Sequence, residues 1–127
     1  MNFDRSKRLF EEGQKNLVGA VNSPVRAYKS VGGTPLFIKK AKGSKIIDVD
    51  NNQYIDLVLS YGPMILGHRP KKIEKSIVKA LKNGYTFGAT SAGEIELAKI
   101  ICDAFPSMDK VRFVNSGTEA VLSALRL

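Results

Sequence analysis

Phe113-Val114-Asn115-Ser116-Gly117-Thr118-Glu119-Ala120 is the stretch that decides how this chain is read. A short apolar run, Val111-Arg112-Phe113-Val114, has the look of a buried strand, and it passes directly into Ser-Gly-Thr and then into helix-forming residues. The first N–H groups of a helix have no internal partners and point outward. The helix dipole adds partial positive charge at the same place. Gly117 removes a Cβ that would obstruct an approaching oxyanion, and Ser116 and Thr118 add hydroxyls. Such a turn suits a phosphate monoester. Ser116-x-x-Glu119 is also a capping box, and taken alone this tetrapeptide is more often a cap than a phosphate site. There is no Gly-Lys-Ser/Thr ending and no Gly-x-Gly-x-x-Gly after a strand, which disfavours nucleoside triphosphates and dinucleotides.

Working back toward the N-terminus, residues 92–105 carry apolar positions at helical spacing (Ile95, Leu97, Ala98, Ile101, Cys102) and stop before Pro106. Residues 71–83 form an amphipathic helix with Ile73, Ile77, Val78, Ala80 and Leu81 on one side and Gly84 beyond its end. Residues 36–59 are strand-like, with a turn at Lys42-Gly43-Ser44 and a second at Asn51-Asn52-Gln53. They predict a three-stranded antiparallel meander, too small to stand without a packed helix. Residues 4–14 form a first helix, with Ser6 as a candidate cap and Gly13 as a stop. Two glycine- and proline-punctuated loops, residues 18–26 and 61–70, separate these elements.

Beyond the opening motif the chain stays apolar and helical (Ala120, Val121, Ala124, Leu125, Leu127) with no cap or polar tail. The expectation is a piece of a longer protein, and the alternative is a complete small α+β domain.

Composition bounds the function classes. The chain has 127 residues, 43% hydrophobic and 25% charged, ordinary for a globular protein. Its apolar runs, such as Ile100-Ile101-Cys102, fall far short of the roughly 20 residues of a membrane span. The N-terminus has basic residues but no apolar h-region of a secretory signal. The single cysteine, Cys102, forms no internal disulfide, which fits a reducing cytoplasm. No metal site is expected. The net charge of +8 raises the question of polyanions. The lysines are scattered, with no zinc-finger, RNP or Lys/Arg-run motif, so nucleic acid is not expected as a partner. A stand-alone basic binding module remains the alternative from another class.

The order of motifs then adds a resemblance. Asn22-Ser23-Pro24-Val25-Arg26-Ala27-Tyr28, Gly62-Pro63-Met64-Ile65-Leu66-Gly67-His68, Thr86-Phe87-Gly88-Ala89 and the stretch from Val111 to Ala120 together resemble the glutamate-1-semialdehyde 2,1-aminomutase family. Ser-Gly-Thr-Glu-Ala and the pattern Asp48-x-Asp50-x-x-x-Tyr54-Ile55-Asp56 are shared by class III aminotransferases generally, whereas Asn-Ser-Pro-Val-Arg is more specific to the aminomutases. The similarity runs from about Ser6 to Leu127. The segment Thr90-Ser91-Ala92-Gly93-Glu94 departs from the usual pattern, so the helix entry there is expected to shift.

The resemblance implies an α/β protein, the N-terminal part of a fold-type-I pyridoxal-phosphate enzyme. Residues 1–85 would be the N-terminal segment with the meander and a helix. Residues 86–127 would begin the large, mostly parallel-sheet cofactor domain. It implies a cytoplasmic homodimer that converts glutamate 1-semialdehyde to 5-aminolevulinate on the way to tetrapyrroles. Ser116, Gly117 and Thr118 would hold the cofactor phosphate. Arg26, with Ser23 nearby, would fork onto the substrate carboxylate, and Tyr61, where many members have Trp, would wall the pocket. His68 matches the family's Gly-His and is read as structural. The Schiff-base lysine lies beyond this chain, so no catalytic residue is expected in it and no activity from it alone. A class III ω-aminotransferase is the rival within enzymes.

Overall fold

A computed structural model describes residues 1–127. The chain divides into two compact units, Met1–Asn83 and Gly84–Leu127.

In the first unit, helix α1 spans Asp4–Gly13. Its first turn is capped from outside, because the Asn2 side chain accepts from the Asp4 N–H at 2.9 Å. Ser6 is therefore not the cap. It is fully buried, and both its N–H and its hydroxyl donate to Asp50. After 3-10 turns at Val18–Ala20 and Val25–Ala27 come three strands, β1 (Ile38–Lys42), β2 (Lys45–Asp48) and β3 (Gln53–Ile55). They form the expected antiparallel meander in the order β1-β2-β3. Its register pairs Lys42 with Lys45 at the first turn and Ile47 with Gln53 at the second. Asn51 takes a left-handed φ of 72° in that second turn, a conformation its short polar side chain tolerates.

The meander's tie to a helix is polar. Asp50 accepts from the Arg5 and Ser6 amides and the Ser6 hydroxyl, so its carboxylate sits on the first turn of α1. Arg5 also donates to the Val49 carbonyl at 3.2 Å. A third 3-10 turn, Leu59–Tyr61, leads to helix α2, Lys71–Leu81. The apolar face of α2 is present as the spacing predicts but stays open to solvent, with Ile73, Ile77, Val78 and Leu81 all exposed.

The second unit holds helices α3 (Ala92–Ala104) and α4 (Gly117–Ala124), and neither buries a residue. Ser91 and Glu94 close a capping box at the start of α3, so that helix begins immediately after Ser91. Two expectations fail here. Val111-Arg112-Phe113-Val114 forms no strand, because a strand needs a ladder partner and these residues have none. Helix α4 does not continue to the last residue. It closes at Ala124, and Arg126 and Leu127 make tightened bonds back to Ser123 and Ala124. No helix is long and apolar enough to cross a membrane.

Candidate functional site

The start of α4 sorts its donors into used and free. Ser116 is the N-cap, its Oγ accepting from the Glu119 N–H at 3.2 Å. Glu119 reaches back, its Oε2 accepting from the Asn115 N–H at 2.7 Å and from the Ser116 hydroxyl at 3.4 Å. The capping box is thus built. It leaves the Gly117 and Thr118 N–H groups and the Thr118 hydroxyl without a partner in the chain. A Cβ placed on Gly117 would meet nothing within 4 Å, so an oxyanion has room to reach the backbone. The cap therefore leaves donors on the same turn, on different atoms, that an anion could use. The donor set suits a phosphate monoester: two free amides and one hydroxyl, with Ser116 committed to holding the turn.

In the first unit, Ser23 and Arg26 share one turn, where the Arg26 N–H donates to the Ser23 carbonyl at 3.0 Å. Their side chains open onto different depressions. Ser23 lines one of about 660 Å³ with Asn22, Pro24 and Ala27, and Arg26 lines one of about 520 Å³ with Asn22, Tyr28 and Leu36. Arg26 is exposed and makes no ion pair within the chain, leaving its guanidinium free for an external carboxylate. Tyr61 is 76% exposed and lines neither depression. The expected substrate residues are thus available but not gathered into one cavity.

Three carboxylates that the sequence reading gave no individual role organise this unit. Asp48 is fully buried and accepts from the Asn52 amide, the Asn52 side chain and the Tyr54 hydroxyl, each at 2.8 Å. Burial pushes its carboxyl up, but the bonds from Asn52 and Tyr54 outweigh this and hold it below the ordinary value. Burial and the bond to Asp48 push the Tyr54 phenol up to about 12. Asp50 is likewise raised by burial and brought below its ordinary value by the Arg5 and Ser6 bonds. Asp56 is lowered chiefly by its bond with His68, then by the Leu59 and Val58 amides. The available signal was the Asp48, Asp50, Asp56 spacing itself, because carboxylates at strand ends find unpaired turn amides.

Comparisons with known proteins give the family and the fold. The model of the family "Aminotransferase class-III" matches residues 27–127, and the chain belongs to that family. Its fold is accordingly that of part of a fold-type-I pyridoxal-phosphate aminotransferase. Among curated relatives, the glutamate-1-semialdehyde 2,1-aminomutase of Persephonella marina is 59% identical over 127 residues, which is 100% of this chain and 30% of that protein. Among solved structures, a β-phenylalanine aminotransferase from Variovorax paradoxus superposes with a TM-score of 0.89 at 32% identity, covering 97% of this chain and 28% of that one. A transaminase solved with PLP bound gives 0.88 at 28% identity, covering 99% and 29%. The chain thus spans about 30% of the length of the curated relatives it matches.

Proposed function

We propose that this chain is part of a glutamate-1-semialdehyde 2,1-aminomutase, in which it supplies the phosphate cup for pyridoxal phosphate and the arginine that receives the substrate carboxylate. The observation that carries the reading is the pair of free amides at Gly117 and Thr118, beside a free Thr118 hydroxyl, at the head of a helix already stabilised by its own cap. The identity of 59% to a named aminomutase over the whole chain supports the particular activity. The bound cofactor supplies the electrophilic carbonyl and electron sink through which amino groups are exchanged. The chain's own contribution is binding. Gly117 and Thr118 fix the phosphate, Arg26 orients the substrate by its carboxylate, Ser23 flanks that arginine, and Tyr61 walls the pocket. The full-length protein is a cytoplasmic homodimer in this reading, and its reaction exchanges the amino and oxo groups on adjacent carbons without a second substrate.

A class III transaminase is the rival reading, favoured by the backbone likeness to the β-phenylalanine aminotransferase. Turnover decides between them. The full-length holoenzyme is expected to form 5-aminolevulinate from glutamate 1-semialdehyde with no added amino acceptor, while the purified 127-residue chain forms none. A strict requirement for an added amino donor or acceptor would give the case to the transaminase.

A further inference from the structure

The loop carrying Tyr61 has an unusual backbone and a definite lock. Leu59, Ser60 and Tyr61 all take left-handed φ values, of 49°, 54° and 63°, and Gly62 follows at 128°. For residues with a Cβ this conformation is strained, because the Cβ crowds the following carbonyl oxygen. It persists only where the surroundings over-determine it.

The surroundings here are few and specific. Both ends of the loop are pinned to the turn between β1 and β2. The Asp56 N–H donates to the Ser44 carbonyl, and His68 and Gly43 exchange backbone bonds at 2.8 and 2.9 Å. Gly67 is required at that crossing, because a Cβ there would come within 2.9 Å of the Gly43 carbonyl oxygen. One carboxylate then spans the base of the loop. Asp56 Oδ1 accepts from the Val58 and Leu59 amides at 2.9 and 3.1 Å, and Oδ2 meets His68 Nε2 at 2.6 Å. The Asp56 and His68 side chains are only 9% and 16% exposed, so water competes little for either group. The ring of His68 thereby fixes the rotation of a carboxylate whose other oxygen organises the entry to the left-handed run.

We propose that His68 is a positioning residue that acts through Asp56 to hold residues 59–62 left-handed, and so sets where Tyr61 meets the substrate. The proposal rests on the reading of Tyr61 as a wall of the substrate pocket. Without the ring, Asp56 Oδ2 loses its anchor, the acceptor offered to the Val58 and Leu59 amides is less firmly held, and the run relaxes toward ordinary backbone. Tyr61 then moves although neither its own contacts nor the cofactor site has been touched.

The test uses the full-length holoenzyme. In His68→Ala, KM for glutamate 1-semialdehyde is expected to rise about tenfold with kcat within about twofold, since a binding contact made equally in the ground and transition states raises KM alone when it is lost. Amide exchange at Val58 and Leu59 should accelerate about tenfold, while the cofactor absorbance stays unchanged. His68→Gln, whose amide reaches the position of Nε2, should restore both readouts, whereas His68→Asn, whose amide is too short, should not. Tyr61→Ala and the double variant with His68→Ala should share one KM value, because both lose the same contact. Unchanged exchange or unchanged KM in His68→Ala overturns the proposal. So does loss of melting temperature and of every activity in both His68→Ala and His68→Asn, which would make the pair a folding element only. A Tyr61→Ala enzyme with normal KM breaks the pocket reading instead, and the exchange data then still report on the clamp.

Discussion

The two units are held together by different means. In the first, bonds reach across long stretches of sequence. Asp50 joins the turn between β2 and β3 to residues 5 and 6, the Asn52 side chain reaches the Asn2 carbonyl, and Asp56 meets His68. In the second, every side-chain bond lies within four residues, in the capping boxes of α3 and α4. Neither unit has much apolar interior. Ala20 is the one fully buried hydrophobic residue outside proline, and Phe113, Val121 and Leu122 are exposed. Polar clamps on a small sheet can thus specify a tertiary arrangement where apolar burial is scarce. Helices of 13 and 8 residues, left to local bonds, have only marginal stability in water.

Acid is expected to have the largest effect on the first unit, because it reaches all three carboxylate clamps at once. Asp48, Asp50 and Asp56 each sit below their ordinary value of 3.8 in the folded chain. Their stabilisation is therefore fully present above 3.8 and disappears as the pH falls through the lowered values. Amide exchange of β2 and β3 in the 127-residue chain should stay slow down to about that pH and become fast below it. Tyr54 gives the alkaline counterpart with the opposite sign. Its raised value means that its contribution holds below 10 and is lost as the pH rises through about 12, seen as one late-ionising tyrosine in an ultraviolet titration. Loss of the sheet near neutrality would show that the carboxylates are not what holds it.

A single clamp should cost less. Asp48→Ala leaves the Asn52 donors and the Tyr54 hydroxyl without their acceptor, which should cost about 2 kcal/mol. The loss should be measurable as faster exchange across β2 and β3, with α3 and α4 unaffected. An equal change in both units would break the division between them. The smallest effect belongs to the second unit. Ser116→Ala removes the cap of α4 and should lower its helix content by about 1 kcal/mol of capping energy, read by circular dichroism, and leave the sheet's exchange untouched. A shift in the sheet would reveal coupling that local bonding does not provide.

Much of this architecture was legible from spacing. The meander, α2, and the starts of α3 and α4 fall where periodicity, turn residues and capping boxes place them, because each is set by interactions within a few residues. Ser6 was misread as a cap because a serine near a helix start satisfies that pattern equally well. Only a carboxylate 44 residues away decides that it is buried instead. The segment Val111-Arg112-Phe113-Val114 was misread as a strand because its apolar character records what it needs to be covered by, while a ladder also requires a partner.

The candidate site divides along the same line. Short-range spacing fixed the family and the capped turn at the head of α4, since Ser116, Gly117, Thr118 and Glu119 act within one helical turn that leaves the Gly117 and Thr118 amides free. It also determined which residues are chemically suited to a carboxylate substrate. The path of the whole chain decided that Ser6 is buried against Asp50. It also decided that Ser23 and Arg26 face different depressions, and that Asp56 and His68 meet across the loop bearing Tyr61. The reason is physical. Helix caps and turns are local and repeat wherever their residues occur, whereas the partner of a buried carboxylate is fixed by the path of the whole chain.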